Sequence, residues 1–353
     1  MGLSPGKLWG LRRLADDQGR FKMTAVDQRP PIKNLIKDRR GTDEAAYDDV
    51  AAVKQTLVRE LAPSSSALLL DPHVAFPTAV QLMSPAQGLI LTLEDSIFQE
   101  TPGGRLSAEI DHWSVAKIKR AGGDAVKVLA WYRPDADAAV CRHQEDFVAR
   151  IGDACRRYDI PFVFELLVYP LPSDAAQTKD YVEDPGKRPE LVLESVERFA
   201  DPKFGVDLFK LESPVKAAEV PDPDGAEVEA IAATQAWFDR LGTLAGRPWV
   251  MLSAGAGMDA FRRVLTYAYR AGASGYLAGR AIWWQAFQSF PDVRQMAAEL
   301  RATGVPYMDQ LNALTDSLAT PWRRHPCYGD TIGIENTDGD FRTRYADFDG
   351  ETG

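Results

Sequence analysis

At 353 residues the chain is long enough for one large barrel or two smaller domains, and with 45% hydrophobic and 26% charged residues it has the balance of a globular protein. A net charge of -10 argues against general binding to nucleic acid or anionic membranes, while leaving room for a small anion held by a few local cations. No run approaches about 20 apolar residues, the N-terminus lacks an apolar core with a cleavage site, and Cys141, Cys155 and Cys327 show no CxxC spacing, so neither membrane insertion nor secretion is expected and a reduced, cytoplasmic protein is the simplest reading.

Residues 1–20 read as a segment covering the domain that follows, with Ser4-Pro5 as a helix start. The first strand is predicted at Phe21–Asp27 and closes on Asp27-Gln28-Arg29. These three polar groups either grip a substrate or, for Asp27, cap the turn. A helix follows over Glu44–Leu61, started by Asp43, with Val50, Val53, Leu57 and Leu61 at helical spacing. Strands are expected at Ala67–Asp71 and Leu89–Glu94. The polar, Gly- and Pro-containing stretch Asp95–Asp111 reads as a surface loop, or alternatively as a cover over a site. Further strands at Ala125–Tyr132, Pro161–Tyr169, Val206–Glu212, Trp249–Ala254 and Gly275–Gly279 alternate with helical patterns at Ala138–Tyr158, Val192–Phe199, Glu227–Leu244 and Met258–Ala271. Eight strands alternating with helices predict an α/β fold, a (β/α)8 barrel over 21–300, with a C-terminal helical and irregular extension over 301–353. The competing doubly wound sheet calls for a Gly-rich dinucleotide loop after the first strand, where Asp27-Gln-Arg-Pro-Pro31 stands instead.

Three of the most apolar strands carry an ionisable residue at their centre: Lys127, Glu165 and Lys210. An isolated charge there costs several kcal/mol, so each must be paired or have its pKa shifted. On the sixth strand Leu208, Lys210 and Glu212 share a face, with Asp207, Phe209 and Leu211 on the other. Turning the charges toward a polar cavity is less costly than turning them under the helices, so Lys210 and Glu212 are expected to reach the C-terminal mouth of the barrel. Lys127 and Glu165 follow the same logic. A neutral amine attacks a ketone, a nearby second cation raises the neutral fraction of a lysine, and Glu165, poised by apolar surroundings, is the candidate proton carrier. The alternative is a structural Lys–Glu pair. Ser253, Ala254 and Gly255 end the seventh strand, and Gly279 and Arg280 the eighth. Small residues expose backbone N–H groups there and Arg280 adds a guanidinium, so the two turns read as an anion cradle. Read singly, each is an ordinary Gly turn. No His, Asp and Glu cluster has metal-ligand spacing, and neither a metal nor a cofactor is expected.

Ala-Val-Asp27-Gln28-Arg29, Asp124-Ala-Val-Lys127-Val-Leu, Phe-Glu165-Leu, Asp207-Leu-Phe-Lys210-Leu-Glu, Leu-Ser253-Ala-Gly255 and Ala-Gly279-Arg280-Ala, in this order, resemble the tagatose 1,6-bisphosphate aldolase family. That family includes the sulfofructose 1-phosphate aldolases of sulfoquinovose breakdown. The likeness spans Leu8 to Leu300. It implies a metal-independent class I aldolase on a (β/α)8 barrel, with Lys210 as the Schiff-base lysine, Lys127 as a second active-site lysine and Glu165 as the acid/base group. It further implies that Ser253, Ala254, Gly255, Gly279 and Arg280 hold the phosphate of the dihydroxyacetone phosphate half, with Asp27, Gln28 and Arg29 lining the mouth. The expected partner is a sugar phosphate, and a homo-oligomer is expected. Pro30-Pro31 and the chain beyond Pro321 depart from the shorter members. A divalent-metal aldolase and a non-catalytic sugar-phosphate-binding barrel are the other readings.

Overall fold

In a computed structural model, which describes residues 2–174, 177, 183–335 and 337–348, eight parallel strands close into a barrel. In chain order they are β1 (Phe21–Ala25), β2 (Ala67–Leu70), β3 (Gly88–Thr92), β6 (Ala125–Trp131), β7 (Phe162–Leu167), β8 (Leu208–Leu211), β9 (Trp249–Met251) and β10 (Gly275–Ala278). β10 returns to pair with β1, so the ring has no free edge. Between β3 and β6 a two-stranded hairpin, β4 (Gln99–Thr101) and β5 (Gly104–Leu106), stands where the sequence reads as a surface loop or a cover over a site. Its Arg105 guanidinium packs over the rings of Phe98, Trp131 and Tyr169, which ties the hairpin to the mouths of β6 and β7.

Helices α1 (Pro5–Leu14), α2 (Pro30–Arg40), α3 (Tyr47–Leu61), α4 (Ala75–Ala79), α5 (Val115–Arg120), α6 (Ala138–Arg157), α7 (Pro189–Phe199), α8 (Val228–Ala245), α9 (Met258–Arg270) and α10 (Arg280–Phe287) accompany the strands. Then α11 (Val293–Glu299), a π turn over Leu300–Gly304 and α12 (Val305–Leu318) run as one helical stretch across position 300. Asp43 starts no helix: α3 begins at Tyr47, with Ala46 at its N-cap. Ser4 does precede α1, but its hydroxyl is committed to the Asp159 carboxylate rather than to a cap. Among the described residues no helix is long and apolar enough to cross a membrane.

Strand alternation divides the core in two. Phe164, Phe209, Val126 and Val128 face the helices. Ala125, Val163, Leu208, Val250 and Leu277 face inward and fill the lower barrel, where Leu11 and Leu14 of α1 and Trp322 and Tyr328 close the floor. Two residues further along the same strands, the inward positions become Lys127, Glu165 and Lys210. The strands end one to three residues before their predicted limits. Asp71, for example, already accepts from the N–H groups of His73 and Val74 and so belongs to the following turn.

Asp207 lies at the barrel floor rather than under the helices. It accepts from Lys7 Nζ at 2.8 Å and from the Phe162 N–H at 2.9 Å. Both side chains are buried, so Lys7→Met strands a carboxylate in the floor and is expected to destabilise the fold by about 3–5 kcal/mol. Chemical denaturation measures this, and an unchanged midpoint would contradict the assignment.

Candidate active site

The upper barrel encloses a chamber of about 50 Å³ at the C-terminal ends of the strands. Lys127, Glu165, Lys210, Asp27 and Glu94 meet in it, and all five are nearly buried. One carboxylate oxygen joins the two lysines: Glu165 Oε2 lies 2.8 Å from Lys210 Nζ and 2.8 Å from Lys127 Nζ. The strand register makes this possible, because Glu165 is directly level with Lys210 on the neighbouring strand. Lys127 also reaches Glu94 Oε1 at 2.6 Å and Asp27 Oδ2 at 3.1 Å.

These distances set the charge states. Burial opposes the charge on Lys127, but Asp27, Glu165 and Glu94 hold its ammonium well above the usual lysine range. Burial by itself pushes Asp27 up, and Lys127, Lys210 and Arg29 outweigh it, bringing the carboxyl down to about 2. Glu165 behaves alike: burial raises it, yet Lys127 and Lys210 leave it below the ordinary carboxyl range. The expectation of a carboxyl poised by apolar surroundings is therefore corrected. The residues flanking Glu165 in sequence point to the helices, while in space the cations Lys127 and Lys210 outweigh both burial and the nearby Asp27.

Glu212 is a second correction. Regular alternation puts it beside Lys210, but β8 ends at Leu211 and the side chain turns away, accepting from the Val168 N–H at 2.7 Å and lying 3.4 Å from Lys187. Glu94, conversely, was not singled out by sequence reasoning. It anchors Lys127, accepts from Thr92 Oγ1 at 2.6 Å, and its backbone carbonyl accepts from Arg29 Nη1 at 3.0 Å. Its signal was an acidic residue closing a fully buried run, where the others stand at the centre of theirs.

The turns after β9 and β10 form the opposite wall. Ser253, Ala254, Gly279 and Arg280 line the chamber. Gly255 instead faces an adjoining cleft of about 470 Å³, whose wall Arg280 shares. Ala254 adopts φ 45° and Gly255 φ 82°, so two successive residues are left-handed. For alanine this costs roughly 1–2 kcal/mol, the kind of local strain retained where a turn must present its N–H groups. Gly279 is fixed by space, since a Cβ there would stand 2.6 Å from the Ala25 carbonyl and 2.8 Å from Gln28 Nε2. Gln28 lines the same chamber, and its Oε1 is buried with no hydrogen-bond partner among the described residues.

The arrangement offers a primary amine, a fixed cation, an ionised carboxylate between them and a small-residue turn under a guanidinium, which together suit a carbonyl compound bearing an anionic group. Comparison with known proteins agrees. Residues 21–285 match the family described as DeoC/LacD family aldolase. The chain is 33% identical to the tagatose 1,6-diphosphate aldolase of Listeria monocytogenes, over 91% of this chain and 94% of that protein. It is 32% identical to tagatose 1,6-diphosphate aldolase 1 of Streptococcus mutans, over 92% and 99%. Among solved structures, a fructose-bisphosphate aldolase from Plasmodium falciparum superposes with a TM-score of 0.62 at 13% identity, covering 88% of this chain and 94% of that one. A Schiff base-forming fructose-1,6-bisphosphate aldolase gives 0.52 at 16%, covering 83% and 98%. At such identities these two structures speak for the barrel alone.

Proposed function

We propose, from the premise that this chain belongs to the DeoC/LacD aldolase family and is a lyase, that it reversibly cleaves a phosphorylated ketohexose of the tagatose 1,6-bisphosphate type to dihydroxyacetone phosphate and glyceraldehyde 3-phosphate through an imine on Lys210. The observation that carries this reading is the single Glu165 oxygen 2.8 Å from both lysine nitrogens.

The Lys210 ammonium first passes a proton to Glu165, and the freed amine adds to the C2 ketone. Glu165 returns that proton to the hydroxyl of the resulting carbinolamine, which leaves as water, so an iminium forms and the carboxylate is ionised again. A base then takes the C4 hydroxyl proton, the C3–C4 bond breaks, its electrons flow into the iminium, and the aldehyde departs. Protonation of the enamine at C3 and hydrolysis release dihydroxyacetone phosphate and restore the amine. Glu165, favoured in its ionised form by the two lysines and ionised again once water has left, accepts the C4 hydroxyl proton and returns it to carbon. Lys127 stays cationic and fixes Asp27, Glu94 and Glu165 around the substrate. Gln28 Oε1 accepts from a substrate hydroxyl, and Ser253, Ala254, Gly255, Gly279 and Arg280 receive the C1 phosphate. The reading carries with it a cytoplasmic reaction and a homo-oligomer, the latter checked by light scattering.

Borohydride added with dihydroxyacetone phosphate should leave a reduced adduct, mapped by mass spectrometry to Lys210. Turnover of tagatose 1,6-bisphosphate against sulfofructose 1-phosphate, with the aldehyde identified, decides whether the far end carries phosphate or sulfonate. Dialysis against a chelator is expected to leave activity unchanged. Loss that a divalent cation restores would instead favour a metal-dependent barrel enzyme.

A further inference from the structure

The short segment Glu183–Lys187 contacts the chain just past β8 and β9 and, through Glu212, the chain just past β7. Lys187 Nζ donates to the Ser213 carbonyl at 2.7 Å and stands 3.4 Å from Glu212 Oε2, both just past β8 and within three residues of Lys210. It also contacts the Glu183 carboxylate, whose two oxygens accept from the Ala217 N–H at 3.1 Å each. The Glu183 N–H donates to the carbonyl of Ala254, the left-handed residue of the anion turn, at 3.3 Å. Glu212 in turn accepts from the Val168 N–H, three residues past Glu165. Lys187 and Glu212 are both buried, and neither lines the chamber.

We propose that Lys187 and Glu212 are positioning residues that lock the ends of β7, β8 and β9 together, holding the imine lysine, the proton-carrying carboxylate and the anion turn in one geometry. This rests on the aldolase reading and deepens it. The mechanical logic is simple. Glu165, Lys210 and Ala254 stand on three separate strand ends, and Lys187 with its two carboxylates is attached to all three within a few residues of each. A loosened lock lets Lys210 drift relative to the phosphate-anchored C2, and misplacement of about 1 Å at a reacting atom costs on the order of 10²-fold in rate.

The lock also carries a signature that a purely structural role lacks. Burial pushes the Glu212 carboxyl up to about 7, with Lys187 pulling it down, the Val168 N–H doing the same, and Glu183 pushing it up. Above that pH Glu212 is ionised and attracts the Lys187 ammonium, whereas below it the protonated oxygen has no charge to offer. Activity should therefore rise with pH through about 7. Glu165 does not produce such a limb, since its own titration lies below the normal carboxyl range.

Two variants test the proposal. Lys187→Met is expected to lower kcat/KM by about 10²-fold, with both a higher KM for the phosphorylated substrate and slower borohydride-trappable imine formation, while Lys210 remains the trapped residue. Glu212→Gln keeps the shape and the acceptor for the Val168 N–H, so it should fold even where Lys187→Met does not, and it should abolish the limb near pH 7. A folded Lys187→Met protein with native kcat/KM, a native profile without the limb, or a Glu212→Gln profile that retains it overturns the proposal. Absence of any Lys210 adduct in the native chain would instead remove the aldolase reading itself, so the two failures are distinguishable.

Discussion

Lys210→Ala is expected to lower kcat by at least about 10⁴-fold and to abolish borohydride trapping, with the fold intact. The amine forms the covalent electron sink, and among the described residues the chamber is lined by one other lysine, Lys127. Lys127 does not stand in, because its nitrogen is bound to three carboxylates and kept protonated by them. The truncation removes a cation from one side of Glu165, while Lys127 still pairs with that carboxylate, so the cost to stability is smaller than at the barrel floor. Steady-state kinetics together with mass spectrometry of the reduced adduct check the expectation. Full activity in the variant, or an adduct elsewhere, would sink the proposed chemistry.

Glu165→Gln should lower kcat by about 10²–10⁴-fold, the range for loss of a general acid–base group, while Lys210 still forms the adduct, more slowly, by losing its proton to solvent. Gln preserves an oxygen that accepts from one lysine but cannot shuttle a proton between nitrogen, hydroxyl and carbon. The imine, once formed, should therefore persist, and trapping should give a higher adduct yield per turnover than in the native protein. Rapid-quench measurement of adduct and aldehyde separates the two steps. Adduct formation and aldehyde release both proceeding at the native rate would show that another group moves the proton.

The barrel was legible because eight apolar runs bounded by Gly and Pro leave little else for a chain of this length to do, and the ring closes through β1 and β10 as such a reading requires. Lys127, Glu165 and Lys210 were legible for a different reason, since a charge inside a run that must be buried has to be answered by another. What sequence could not supply was the partner of each. Glu94 closes its run rather than standing at its centre, and so reads only as the last residue of a strand, although it is the acceptor nearest to Lys127, at 2.6 Å. Glu212 was misplaced because period-two alternation was carried one residue past the point where β8 stops. The ionisation of Glu165 was misjudged because it depends on strands 38 and 45 residues away in the chain, as their positions 127 and 210 make plain. The β4–β5 hairpin did carry a local signal, Pro102-Gly103-Gly104, but its strands are three residues each and partly exposed, too short for periodicity to register.

The layer of opposed charges draws on positions 27, 94, 127, 165 and 210, so no half of the polypeptide emerging from a ribosome contains it. Until β8 arrives, Glu165 lacks one of its two lysine partners, and the incomplete ring stays wet inside. Premature collapse onto an apolar interior is thereby penalised in every nascent intermediate. Closure of the circle, the most non-local event in the whole pathway, is also the moment at which the reactive chemistry first comes into being.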